Sequence, residues 1–156
     1  SGPMIRKARV GDVAEIQKLI MTFADRNEML PRSVGDLYEC LRDFYVYEED
    51  GKILGCGALH VVWEDLGEVK SVAVREECRG RGIGSRLVAK CIEEMEALGI
   101  GRVFVLTYQP EFFRKLGFKP IKKEKLPHKV WTECIRCPQF PDCKEEALIY
   151  EKRVQA

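Results

Sequence analysis

The chain has no apolar run near the roughly 20 residues needed to span a bilayer as a helix, and no signal-like leader stands before its first β-rich segment. These absences exclude a helical membrane protein and predict a cytoplasmic location. No charge of one sign dominates either: 26 basic against 25 acidic side chains leave a formal net charge of +1, too little for a general attraction to nucleic acid or to anionic lipid. Only two histidines, His60 and His128, are present. The seven cysteines are an odd number without a secretory leader, which argues against a disulfide framework and for reduced thiols. What remains is ordinary globular composition, 46% hydrophobic and 33% charged over 156 residues, enough for one domain with a real core. Ser1-Gly2-Pro3 ahead of Met4 reads as a cloning scar, so residues 4–156 are expected to form that single domain.

The informative stretch runs from Glu68 to Ser85. A β-branched run with Val69, Val72 and Val74 gives way to a charged turn, then to Gly80, Gly82 and Gly84 at every second position, then to an amphipathic helical pattern. A strand, a glycine loop and a helix N-terminus in that order aim backbone N–H groups and a helix dipole at one spot, where a phosphate can be held with little side-chain help. The loop is neither of two familiar phosphate loops: it lacks the Gly-Lys-Ser/Thr ending of a Walker loop and the strand-adjacent first glycine of a dinucleotide fingerprint. Taken alone, it also reads as a glycine-rich turn that joins a strand to a helix.

Arg79-Gly80-Arg81-Gly82-Ile83-Gly84, preceded by Val72-Ala73-Val74, resembles the Arg/Gln-x-x-Gly-x-Gly/Ala pyrophosphate loop and its strand in the GNAT N-acetyltransferases. A second motif lies about 30 residues on. Phe112-Phe113-Arg114-Lys115-Leu116-Gly117-Phe118 is similar to the family's Phe-Tyr-x-x-x-Gly-Phe, with Phe113 at the tyrosine position. That tyrosine is the family's usual general acid for the leaving thiolate; its replacement leaves Tyr108, Tyr38 or water as donor.

The remaining patterns fit the same order. Ile5–Arg9 alternates as a strand, and Asp12 with Glu15 forms an expected capping box for a helix carrying Val13, Ile16, Leu19, Ile20 and Phe23 on one face. Ser33 is expected to cap a second, shorter helix. Asp50-Gly51 sits between two β-rich runs as a hairpin turn, Gly55 and Gly57 mark a bulge or bend, and Leu66-Gly67 is expected to turn the chain into the Glu68 strand. A helix opened by Ser85 and capped by Gly99, a strand over Arg102–Thr107, and a short helix from Pro110 stopped by Gly117 complete the pattern. The order is that of the α/β (α+β) GNAT fold, a mixed central sheet flanked by helices.

The resemblance implies acetyl-CoA as co-substrate, its pyrophosphate on the N–H groups from Arg79 through Gly80, Arg81, Gly82, Ile83 and Gly84 to Ser85. The pantetheine arm would run beside Val72, Ala73 and Val74, with Phe112 and Phe113 closing the same site. Glu68 stands where some family members place the general base; the alternative is a solvated glutamate at a strand start, and Lys70, two residues on and on the same strand face, could neutralise it.

A closer resemblance is to the acetyltransferase domain of the N-acetylglutamate synthases. Met29-Leu30-Pro31-Arg32-Ser33 is similar to their Leu-Leu-x-Arg-Ser segment, Gly55–Leu59 to their Gly/Ala-Cys-Ala-Ala-Leu strand, and the tail from Lys129 to Cys143 to a short single-domain branch of that group. It implies glutamate as acceptor and the first step of arginine biosynthesis, with Arg32 on a carboxylate and His60 where some synthases carry lysine. No amino-acid kinase domain is expected; a homodimer is compatible with the resemblance. Cys134, Cys137, Cys143 and His128 invite a zinc reading, but a second Cys-x-x-Cys pair is missing, and no metal is assigned. Two further readings stand beside the leading one: a GNAT enzyme acting on a polyamine, an antibiotic or a protein N-terminus, and a non-catalytic acyl-CoA sensor. An acceptor panel read by thiol release separates all three.

Overall fold

The computed structural model describes residues 2–127 and 145–152. His128, Cys134, Cys137, Cys143 and the 129–143 tail resemblance lie outside the described residues. Strand β1 (Met4–Lys7) leads through a 3₁₀ turn at Val10–Asp12 into helix α1 (Val13–Ala24), whose apolar face is buried as its spacing predicts. Asp12 does not cap α1 with Glu15. Its carboxylate instead accepts from the Arg9 backbone N–H at 2.6 Å and from the Arg6 guanidinium at 2.7 and 3.0 Å. A two-toothed, charge-assisted bond to arginine outcompetes a neutral backbone donor.

Helix α2 (Val34–Glu39) is capped by Ser33, whose hydroxyl accepts from the Asp36 N–H at 3.0 Å. A 3₁₀ turn at Leu41–Asp43 follows, then the hairpin of β2 (Phe44–Glu49) and β3 (Lys52–Trp63). Asp50 and Gly51, at φ +51° and +76°, adopt the left-handed turn that matches the twist of paired strands. Leu66 and Gly67 belong to strand β4 (Leu66–Val74) rather than to a turn. A Cβ on Gly67 would lie 3.1 Å from Leu59 and 3.2 Å from Val103, so the glycine serves close strand packing and the reversal falls on Glu64-Asp65. Helix α3 (Ile83–Ala97) starts two residues before Ser85 and ends at Leu98, with Gly99 at φ +78° just beyond. Strand β5 (Arg102–Thr107), helix α4 (Pro110–Lys115), and strands β6 (Lys119–Pro120) and β7 (Glu146–Glu151) follow among the described residues.

The seven strands form one sheet in the order β1-β2-β3-β4-β5-β7-β6. Among the described residues only β4 and β5 run parallel; every other pairing is antiparallel. It is the expected mixed sheet of an α+β fold. Helices α1 and α2 cover one face, Ile16, Ile20 and Leu37 clustering with Phe44 of β2, while α3 and α4 cover the other, Val88, Met95 and Phe113 clustering with Val103 of β5. With both faces covered, β3 is buried continuously from Ile53 to Leu59 instead of alternating.

Candidate active site

Strands β4 and β5 pair at two positions, Gly67 with Val103 and Glu68 with Phe104. From there β5 keeps β7 as its partner out to Thr107–Glu146, and β4 keeps β3 out to Val74. The two parallel strands therefore part after Glu68, opening a cleft of about 750 Å³ between them. The expected bulge lies opposite Gly57, but its extra residue is on β4. Cys56 faces Ala73 and Ala58 faces Lys70, leaving Ser71 and Val72 against one glycine. Ser71 takes φ +57° there, a left-handed conformation that a non-glycine residue adopts only at a cost of order 1–3 kcal/mol.

One end of the cleft is built from backbone. Gly80 and Gly82 have φ +84° and +76° with open space where a Cβ would stand, so glycine is needed there for conformation and leaves the approach clear. Gly82 is the N-cap of α3 and no side chain caps the helix. The first-turn N–H groups at Ile83, Gly84 and Ser85 have no acceptor inside the helix, and all three residues line the cleft. Gly84 has a different reason: a Cβ would sit 3.2 Å from the Phe112 ring, so α4 closes directly against the start of α3. Arg79 also lines this end, its guanidinium 6.0 Å from the centre of the Phe23 ring. The Arg81 side chain leaves the cleft for Glu49, at 2.6 Å; the carboxylate at the end of β2 holds it, and Arg81 offers the loop only its backbone. Uncapped N–H groups with one flanking guanidinium suit a pyrophosphate.

The middle of the cleft is walled by Val72, Ala73 and Val74 on β4 and by Val105 to Gln109 on the facing segment, with Phe112 and Phe113 beyond. Phe113 is buried against Phe112 and Phe118 at ring distances of 4.9 and 5.3 Å, so the family's tyrosine position is apolar core here. Tyr108 lines the cleft; Tyr38 is 51% exposed on α2, outside the cleft wall.

The other end is built from side chains. Among the described residues three charged groups are buried, Asp12, Arg32 and Glu68, and the last two line the cleft. The Arg32 Nε donates to Asp36 at 2.7 Å and Nη1 to the Ser71 hydroxyl at 3.1 Å, with the guanidinium 5.2 Å from the centre of the Phe44 ring. The bulge thus supports Arg32 from below. Glu68, the last residue of the parallel pairing, has Lys70 Nζ 3.9 Å from its carboxylate, the same-face relation their spacing predicts. His60 holds Asp43 at 2.6 Å through Nδ1, a bond that raises the imidazole pKa. Sequence reasoning misses Asp36, Ser71 and Asp43. None stands in a motif, and each acquires its role from a residue 4 to 39 positions away.

Three comparisons with known proteins agree. The profile of the Acetyltransferase (GNAT) family matches residues 12–118. An uncharacterized N-acetyltransferase of Chlorobaculum tepidum is 39% identical over 93% of this chain and 94% of its own length. An amino-acid acetyltransferase of Mycobacterium tuberculosis is 40% identical over 86% of this chain and 78% of its own. Among solved structures, a Mycobacterium tuberculosis protein in complex with CoA superposes with a TM-score of 0.82 at 34% identity, covering 96% of this chain and 99% of that one. The N-acetylglutamate synthase of Neisseria gonorrhoeae, complexed with coenzyme A and N-acetyl-glutamate, gives 0.90 at 28% identity, covering 99% of this chain but 36% of the longer synthase.

Proposed function

The chain belongs to the GNAT acetyltransferase family, and on that premise we propose that it transfers the acetyl group of acetyl-CoA to the α-amine of an amino acid, with glutamate as the acceptor. The pyrophosphate of acetyl-CoA lies on the first-turn N–H groups of α3 beside Arg79, and the thioester arm follows Val72 to Val74 toward Glu68. The acceptor enters from the opposite end. Its amine nitrogen attacks the thioester carbonyl carbon, the amide C–N bond forms, the C–S bond breaks, and CoA leaves as the thiol once protonated. Glu68 takes the amine proton, directly or through a water. Tyr108, which lines the facing wall, returns a proton to sulfur, since Phe113 has none to give. A backbone N–H near Val72 stabilises the oxyanion.

The observation that carries the glutamate reading is the buried guanidinium of Arg32 in the cleft wall, oriented by Asp36 and Ser71. A fixed guanidinium pairs a carboxylate in two-toothed fashion. Lys70, which lines the same cleft, supplies the second cation that a dicarboxylate requires. The 40% identity to an amino-acid acetyltransferase supports the same class of acceptor. The reading places the chain at the first step of arginine biosynthesis. Thiol release from acetyl-CoA, measured over a panel of glutamate, glutamine, aspartate, a polyamine and a peptide N-terminus, tests it. Glutamate should lead by about tenfold or more in kcat/KM, the difference that one unpaired charge-assisted contact makes. An enzyme inert toward glutamate and active on another amine would overturn it.

A further inference from the structure

Cys40 ends α2, Asp43 closes the 3₁₀ turn that follows, and His60 stands on β3. A thiol sulfur, a carboxylate oxygen and an imidazole nitrogen from these three residues all lie within 4.8 Å of one another. We propose that Cys40, Asp43 and His60 form a binding site for a zinc-class transition-metal cation at the acceptor end of the cleft. The assignment uses none of Cys134, Cys137 and Cys143 and does not depend on which amine is acetylated.

Three features carry the assignment. The first is the donor set, since thiolate, imidazole and carboxylate together suit zinc, cobalt or copper rather than magnesium or calcium. The second is spacing. Bond lengths of about 2.3 Å to sulfur and about 2.0–2.1 Å to nitrogen and oxygen set donor separations of roughly 3–4 Å in a tetrahedral site. The present separations, all within 4.8 Å, bracket these values, and the 2.6 Å Asp43–His60 contact need open by less than about 1 Å to admit the ion. The third is charge. Binding displaces the Cys40 proton to solvent, and the thiolate and Asp43 then match a divalent cation. Asp36 adds a carboxylate oxygen 3.8 Å from the Cys40 sulfur, while the neighbouring cations are compensated, Arg32 by Asp36 and Lys70 by Glu68. Cys40 and His60 line the cleft and Asp43 does not. Three protein ligands leave one coordination position of a tetrahedral ion open.

The reduced, chelator-treated full chain is titrated with Co²⁺, following the near-ultraviolet absorption of cobalt–thiolate bonds and the visible bands of a four-coordinate ion, and Zn²⁺ is then added to displace it. One equivalent should bind. Cys40→Ser should abolish the thiolate band and His60→Gln should weaken binding by more than about tenfold, while a chain with Cys134, Cys137 and Cys143 replaced by serine should keep the wild-type spectrum. Circular dichroism checks that each variant is folded; should Cys40→Ser unfold, His60→Gln and Asp43→Asn decide. Absence of cobalt binding to the wild type, a band that survives both Cys40→Ser and His60→Gln, or one lost with the three tail cysteines would overturn the assignment.

Discussion

The two ends of the cleft present positive charge by opposite means. At the α3 end, contiguous residues present main-chain N–H groups, and the positive φ of Gly80 and Gly82 is what shapes them. At the α2 end, Arg32, Ser71, Lys70 and His60 come from a loop and two strands; Arg32 meets Ser71 and His60 meets Asp43 across long stretches of chain, while Lys70 pairs with Glu68 on its own strand. A backbone cradle recognises phosphate generically and leaves side-chain identity open over much of its length. A side-chain cradle selects one acceptor and is rebuilt by single substitutions.

The comparison breaks most sharply at Gly82. Gly82→Asp puts a side chain on a φ of +76° and a negative charge on an uncapped helix start, so thermal stabilisation by acetyl-CoA should vanish. At a ligand concentration of 100 Kd the wild type gains about 2.7 kcal/mol. Acceptor-end substitutions should leave that gain intact; equal stabilisation of the Gly82 variant and the wild type would sink the cradle.

Glu68→Gln lies between the ends and should lower kcat on the order of a hundredfold, the usual loss of a positioned base, while the acetyl-CoA thermal shift is unchanged. Stopped-flow thiol release across pH checks it, and an undiminished kcat would make Glu68 structural.

Arg32→Ala should cost about 1.5–3 kcal/mol of transition-state binding for glutamate, tenfold to a hundredfold in kcat/KM, and far less for glutamine or a simple amine. A uniform loss over all acceptors would mean that Arg32 only fixes the loop before α2.

The smallest catalytic effect belongs to a site that touches neither end. Asp12 accepts hydrogen bonds from Arg6 and from the Arg9 N–H, and these hold its pKa below the usual carboxylate value. A group whose folded pKa is depressed contributes stability above its unfolded pKa and loses it as pH falls through the folded one. Asp12→Asn should therefore lower unfolding free energy by about 2 kcal/mol at neutral pH, with the gap to wild type closing in acid below the unperturbed value of 3.8. Denaturant titration at several pH values measures it, and kcat/KM at either end should not move.

The sequence by itself determined the α3 end. Val72 to Ser85 is contiguous, Gly80 and Gly82 are needed for local backbone reasons, and a helix start is a local event. The hairpin at Asp50-Gly51 and the Ser33 cap were legible on the same ground, as was the family, through two motifs within one stretch of chain. Tertiary structure decided what depends on competition between distant partners. Asp12 had a capping motif, yet Arg6 claimed it. Arg81 stood inside the loop motif, yet its side chain went to Glu49. Gly67 read as a turn and proved to be a tight strand crossing against Val103. The parting of β4 from β5, the bulge that sets Ser71 under Arg32, and the meeting of Cys40 and Asp43 with His60 have no local signature, because each follows from which strands and loops become neighbours once the sheet is formed.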